Sequence, residues 1–313
     1  MRLLTTGGAD FIGSHLAAHF QRTAEVRILD DLSTGKPKNL AGLNVEFCHA
    51  SITDRKAVRA AMSGVDHVLH LAAMVSVPHS MRQPTLCAEI NVLGLLNVLE
   101  EAAAANVRKL CFSSSAAVYG NNQVEFKDES LRPDPHSPYA ITKLDGEYYC
   151  QMFAESGRLQ TVALRYFNVF GPRQDPNSAY AAAVPIFIRQ ALAGEPITIY
   201  GDGQQTRDFV FVDDVVAANS FALANHDLTG VFNVGSGRKQ NIIDLARDII
   251  AAVGSSSEIR YAPGRAGDVR HSCAAVAKLR SAGFTPPTDF ANGLRATINS
   301  FSRAVKAYSG APC

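Results

Sequence analysis

The feature that most constrains this chain is its beginning. Arg2-Leu3-Leu4-Thr5-Thr6 has the apolar content of a short strand and runs straight into Gly7-Gly8-Ala9-Asp10-Phe11-Ile12-Gly13, after which Leu16 and Phe20 continue at helical spacing. A strand, a glycine turn and a helix in that order open a βαβ unit. Parallel strands connected in this way must be covered by helices on both faces, so the expected class is α/β with a doubly wound parallel sheet. Backbone N–H groups of the turn and the positive end of the helix then meet whatever anion sits beyond the strand ends. A second apolar strand, Val26-Arg27-Ile28-Leu29, ends at Asp30-Asp31. That is about twenty residues past the glycines, where an acid accepts bonds from ribose hydroxyls and repels a 2′-phosphate. Asp30 on its own would read as a solvated turn acid; its position after the second strand favours NAD over NADP.

Residues 113–143 carry the chemistry. Lys109-Leu110-Cys111-Phe112 forms an apolar strand that runs into Ser113-Ser114-Ser115, and Ser137-Pro138-Tyr139-Ala140-Ile141-Thr142-Lys143 reads as a helix start, with Ser137 as N-cap and Pro138 in the first turn. A hydroxyl at the carboxyl end of a strand faces the ligand crevice of a doubly wound sheet, which marks Ser115. Tyr139 and Lys143 fall on one helix face, four residues apart, so the lysine charge can favour the phenolate. A free phenol titrates near 10 and needs such help to act as a base at neutral pH. Tyr-x-x-x-Lys alone is a weak signal, since surface helices produce it often. Together with the serine strand end and the glycine turn it indicates a dinucleotide-dependent site built from Ser115, Tyr139 and Lys143.

With these residues in place, the chain resembles the extended short-chain dehydrogenase/reductases, from Leu3 to about Phe301, and among them the nucleotide-sugar 4-epimerases. The likeness to the UDP-N-acetylglucosamine 4-epimerases rests on Arg165-Tyr166-Phe167-Asn168-Val169-Phe170-Gly171, Arg173-Gln174-Asp175-Pro176-Asn177, Tyr180-Ala181-Ala182-Ala183 and Gly267-Asp268-Val269-Arg270-His271-Ser272. The resemblance implies a Rossmann-like NAD-binding domain over 1–170. It also implies a smaller α/β lobe over 171–313 that holds a UDP-sugar and interleaves with the first. By the same resemblance NAD is held by Gly7, Asp10, Phe11, Ile12, Asp30, Asp31, Ser33, Thr34, Gly35, Ser51, Ile52, Leu71, Ala72, Ala73, Ser113, Tyr139, Lys143 and Tyr166. The sugar nucleotide would meet Ser76, Ser115, Tyr139, Asn168, Ala182, Tyr200, Arg207, Arg265, Asp268 and Ser272. Arg207 and Arg265 suit a pyrophosphate, because guanidinium forks match phosphate oxygens. Asn168 is assigned to the diphosphate, Asp268 to the uridine ribose, and Ser272 to the wall beside the sugar's second carbon.

Two positions depart from the family pattern. The middle glycine of Gly-x-x-Gly-x-x-Gly is Asp10, which adds a β-carbon and a negative charge where a pyrophosphate is expected. Aspartate is nonetheless a good N-cap. The other departure is Ser51, where relatives usually carry an aspartate near the adenine.

The implied reaction is reversible epimerisation at carbon 4 of a UDP-hexose, with Tyr139 as base and a transient 4-keto sugar. Sister 4,6-dehydratases place an Asp-Glu pair just after the hydroxyl residue, and here those positions are Ala116 and Ala117, which transfer no proton. A ketoreductase and a non-catalytic NAD- or UDP-sugar-binding protein are the competing readings, the latter supported only by Asp10.

Composition excludes other classes. Thirty basic and twenty-nine acidic residues leave a net charge of +1, which gives no reason to expect nucleic acid or an anionic membrane as partner. The six cysteines show no Cys-x-x-Cys and no regular spacing, and the histidines are scattered, so reduced core thiols and no metal are expected. His70, at a strand end, reads as a satisfied structural histidine. A start that enters an apolar strand directly, with no signal segment and no stretch long enough to span a bilayer, points to the cytoplasm. Long helices expected over 89–105 and from 138 to about 155 would, by the resemblance, form a four-helix homodimer interface.

Overall fold

The computed structural model describes residues 1–176, 182–264 and 269–309. Seven parallel strands form the main sheet. From one edge to the other they run Gly230–Val234, Gln160–Tyr166, Lys109–Ser115, His67–His70, Arg2–Thr6, Glu25–Asp30 and Val45–His49. Chain order reverses between Arg2–Thr6 and His67–His70, so the crevice at the carboxyl ends of those two strands is the switch point where such sheets hold ligands. The edge strand Gly230–Val234 pairs in register with Gln160–Tyr166 although it lies in the second half of the chain. A cut at residue 170 would therefore strip an edge strand from the sheet.

Side-chain alternation explains the two covered faces. Leu3, Ile28, Leu69 and Leu164 point into one core with Leu16 and Phe20 of the helix Phe11–Phe20 and Val215 and Ala222 of the helix Val212–Ala224. Their neighbours Leu4, Leu29, Val68 and Ala163 point the other way. They meet Val58 of Arg55–Ala61, Leu95 and Val98 of Gly94–Ala104, and Phe153 of Pro138–Glu155. Strands buried on both faces read as continuous apolar runs, as these do.

The second lobe has a core of its own. Phe187 and Ile188 of the helix Ala183–Leu192, Leu245 and Ile249 of Ile242–Val253, and Leu294 and Ile298 of Phe290–Ser309 enclose Phe170, Phe209 and Phe211. Small sheets frame it: Asn168–Phe170 pairs with Phe209–Phe211, Ile197–Tyr200 with Ile259–Ala262, and Thr206–Arg207 lies beside His271–Ala274.

One expected element is different. In place of one helix over 89–105 there is a short helix Pro84–Ala88, a wide π-type turn over Glu89–Leu93, and then Gly94–Ala104. The cause is Asn91, 4% exposed in an otherwise apolar run. Its amide oxygen accepts from the Met74 N–H at 2.7 Å, while its nitrogen donates to the Met74 carbonyl at 3.1 Å and to the Thr142 hydroxyl at 2.9 Å. Turns of this kind concentrate at functional positions.

Candidate active site

The glycine turn forms as the sequence predicts. Gly7 has φ +69°, and a Cβ there would lie 2.7 Å from the Ala72 nitrogen, so the turn rests directly on Leu71 and Ala72 at the end of the fourth strand. A Cβ on Gly13 would overlap the Gly7 carbonyl, which fixes how closely the first helix approaches. Position 10 is under no such constraint. Asp10 sits at φ −84° as the N-cap of Phe11–Phe20. One of its oxygens accepts from the Phe11 N–H at 3.2 Å and the other from the Thr34 hydroxyl at 2.6 Å.

Asp30 lies under the turn, 7% exposed, and accepts from the Ala9 N–H and the Leu32 N–H, each at 2.8 Å. Burial pushes its pKa up against those two bonds, and the neighbouring Asp10 and Asp31 charges add to the rise. Gly35 packs against the same carboxylate, while Ser33 and Thr34 are exposed and Asp31 accepts from the Ser33 N–H. The Ser51 hydroxyl turns back on Thr53, at 2.9 Å from its hydroxyl, and Ile52 is buried. Leu71, Ala72 and Ala73 remain half-buried along the crevice. Residues expected from the sequence to meet the dinucleotide therefore come together from both sides of the switch point.

The serine strand and the tyrosine helix meet at the same crevice. Ser137 caps Pro138–Glu155 through the Ala140 N–H at 3.2 Å, with Pro138 opening the helix. Ser80, fully buried, also accepts from the Tyr139 N–H at 3.2 Å and so fixes the first turn. The Ser115 hydroxyl accepts from the Ala117 N–H at 3.1 Å. Lys143 is 4% exposed and donates to the Ser113 carbonyl at 2.7 Å; its ammonium is 5.9 Å from the centre of the Tyr139 ring. Burial lowers the lysine pKa to about 8. Burial also raises that of Tyr139, and the Ser115 hydroxyl opposes the rise. In the protein alone burial thus favours the neutral phenol, with Ser115 opposing it, while the lysine ammonium is engaged by the Ser113 carbonyl.

Around this trio the remaining residues sort into two groups. Ser113 donates to the Tyr166 hydroxyl at 3.2 Å, which also accepts from Asn219 at 2.7 Å, and Ser76 caps the helix Val77–Arg82 through the His79 N–H at 3.0 Å. His70 is buried, with its Nδ1 2.8 Å from the Thr6 hydroxyl; burial and the nearby Lys143 charge lower its pKa to about 3, which keeps it neutral, as a structural histidine. On the second lobe, Asn168 donates to the Asp208 carbonyl from its backbone and its side chain, at 3.0 and 3.1 Å. Arg207 stands opposite Ser272 in the parallel pairing of Thr206–Arg207 with His271–Ala274. Ala182 is an exposed N-cap and Tyr200 a partly exposed strand end. Arg265 and Asp268 lie outside the described residues.

Asn91 was not among the residues the sequence singled out. It ties Met74 to Thr142, whose hydroxyl donates to the Tyr139 carbonyl at 2.9 Å, and so braces the tyrosine helix between Tyr139 and Lys143. Its only sequence signal was a polar amide inside the run Ile90-Asn91-Val92-Leu93.

Residues 3–235 match the NAD dependent epimerase/dehydratase family. The chain belongs to that family. The UDP-glucose 4-epimerase of Mycolicibacterium smegmatis is 37% identical over 316 residues, covering 96% of this chain and 98% of that protein. The UDP-N-acetylglucosamine 4-epimerase of Methanobrevibacter ruminantium, solved with UDP-N-acetylmuramic acid, superposes with a TM-score of 0.93 at 39% identity, covering 97% and 98% of the two chains. The UDP-glucose 4-epimerase of Thermus thermophilus, solved with NAD, gives 0.89 at 39% identity, covering 97% and 100%. NAD is the family's cofactor, and the residues here fit it: a turn whose Gly7 and Gly13 leave no room for a Cβ, a helix N-terminus, and an acid after the second strand.

Proposed function

We propose that the protein is an isomerase that inverts carbon 4 of a UDP-hexose with NAD, interconverting UDP-N-acetylglucosamine and UDP-N-acetylgalactosamine as well as UDP-glucose and UDP-galactose. The observation that carries this reading is the convergence of Ser115, Tyr139 and Lys143 at one crevice, with Ala116 and Ala117 where dehydration would need acids. Tyr139 takes the proton from the 4-hydroxyl, Ser115 holds the reacting oxygen beside the phenol, and Lys143 supplies positive charge behind both. NAD, when bound, would supply the hydride acceptor and donor. The second lobe holds the UDP firmly, through Arg207 and, outside the described residues, Arg265 and Asp268, so that the 4-keto sugar can turn its other face.

The wall beside the sugar's second carbon is assigned to Ser272, half-buried next to Arg207. A small residue there leaves room for an acetamido group and offers it a hydroxyl. Residues 1–170 hold the dinucleotide and residues 171–313 mainly the sugar nucleotide. No described helix is long and apolar enough to cross a membrane, and the five described cysteines are free, which suits a reducing compartment such as the cytoplasm. The protein acts as a homodimer: Ile141, Tyr148 and Met152 are 46%, 57% and 49% exposed along one face of the tyrosine helix, and Leu93 in the adjoining turn is exposed at 57%.

Incubation with NAD and each of the four UDP-sugars, followed by separation of the products, tests the reading. Interconversion within both pairs is expected. Release of water or carbon dioxide, or net consumption of NADH, would overturn it.

A further inference from the structure

The pyrophosphate turn contains an anion of its own. Its outer glycines are sterically required, yet the middle position has ordinary backbone geometry and carries Asp10. The carboxylate does not swing into solvent. It is clasped at both oxygens, by the Phe11 N–H on one side and the Thr34 hydroxyl on the other, directly at the N-terminus of the first helix. That end of the helix is where its free N–H groups and dipole attract phosphate oxygens. Asp30 and Asp31 stand close by, the first buried and receiving N–H groups from Ala9 and Leu32, and neither neutralises Asp10. Lys36 also lies in this loop, but its ammonium is paired with Asp175.

We propose that Asp10 is a built-in competitor for the dinucleotide. Its carboxylate holds the helix-terminal donor that the pyrophosphate needs and repels the pyrophosphate by charge, so the protein binds NAD reversibly and exchanges it with the medium. A dinucleotide arriving at the turn must displace one anion with another. Repulsion between like charges a few ångströms apart at a partly exposed site is worth roughly a tenfold change in affinity.

Binding of NADH to dinucleotide-free protein, followed by its fluorescence in the absence of any sugar, tests this independently of the proposed substrate. Asp10→Gly removes charge and bulk, whereas Asp10→Asn removes the charge and keeps the size and the cap. Both variants are expected to bind NADH roughly tenfold more tightly than the wild type, chiefly through slower dissociation, and melting curves check that each is folded. Unchanged or weaker binding in Asp10→Asn overturns the proposal, even if the glycine variant improves, because bulk rather than charge would then be the cause.

Discussion

Lys143 and Tyr139 share a helix face, yet the ammonium donates to the Ser113 carbonyl and lies 5.9 Å from the centre of the phenol ring. If Tyr139 is the base, Tyr139→Phe removes one hydroxyl from a packed ring. Turnover should then fall by roughly 10²–10⁴-fold, with melting temperature and UDP-sugar binding nearly unchanged. Near-normal turnover in that variant would remove the mechanism. The lysine sets a pH limit as well. With a pKa of about 8 it is charged at neutral pH and loses that charge as pH rises through 8. The wild-type rate should therefore decline on the alkaline side of 8, as a pH–rate profile would show. Ser272 carries the size prediction. Ser272→Tyr should abolish activity on the N-acetylated pair by overpacking and spare the plain hexoses, measured as four rates across wild type and variant. Equal loss on both pairs would take the gate away from this position.

Elements are fixed here by a few buried polar ties. Asn91 breaks a helix that would otherwise run on and uses the freed geometry to hold Met74 and Thr142. Asn91→Leu leaves the Met74 N–H buried without that partner, at a cost of about 1–3 kcal/mol. It should also slow turnover, because the tyrosine helix loses its brace; denaturant melts and turnover measured together check both effects. The helix pair Arg55–Ala61 and Gly94–Ala104 is tied by Glu101, which accepts from Arg59 at 2.8 and 3.0 Å and from Arg55 at 2.7 Å. Those hydrogen bonds, Arg59 first and then Arg55, hold its pKa down at about 2. A carboxylate depressed in the folded state stabilises fully above the ordinary range, about 4.3, and that contribution is lost as pH falls through 2. Glu101→Gln should therefore melt lower than wild type at neutral pH, and the gap between the two melting curves should close between about pH 4 and 2.

Across the whole molecule, one buried polar network joins the strand Lys109–Ser115 to the second half of the chain. Glu147, one turn beyond Lys143, accepts from Arg165 at 2.8 and 2.6 Å and from the Ser114 hydroxyl. The Arg165 guanidinium lies 4.7 Å from the Tyr119 ring, whose hydroxyl donates to Asn233 at 2.7 Å. Asn233 in turn donates to the carbonyls of Lys127 and Ala275. The pair Glu147–Arg165 is 4% exposed on both sides, so removing one partner strands the other charge in the interior. Arg165→Met is expected to cost about 3–5 kcal/mol, read from denaturant unfolding. A loss under about 1 kcal/mol would mean that water reaches the pair.

Local pattern was enough for much of this protein. The glycine turn, the capped tyrosine helix and the apolar strands are dictated by neighbours in the chain: Gly7 by its left-handed dihedral, Ser137 by the N–H it caps, and Leu3 and Leu4 by pleat alternation. Tyr139, Lys143 and Ser115 were legible for the same reason, since a strand end and a helix face have fixed places in a parallel sheet. What tertiary structure alone decided depends on partners far away in sequence. Met74 and Thr142 turn Asn91 into a brace, Ser80 is brought under Tyr139, and the strand Gly230–Val234 returns to complete the first lobe's sheet. Asp10 belongs to both. Its charge and its capping role were visible in the sequence, but only the fold brings the Thr34 hydroxyl, twenty-four residues on, against its free oxygen.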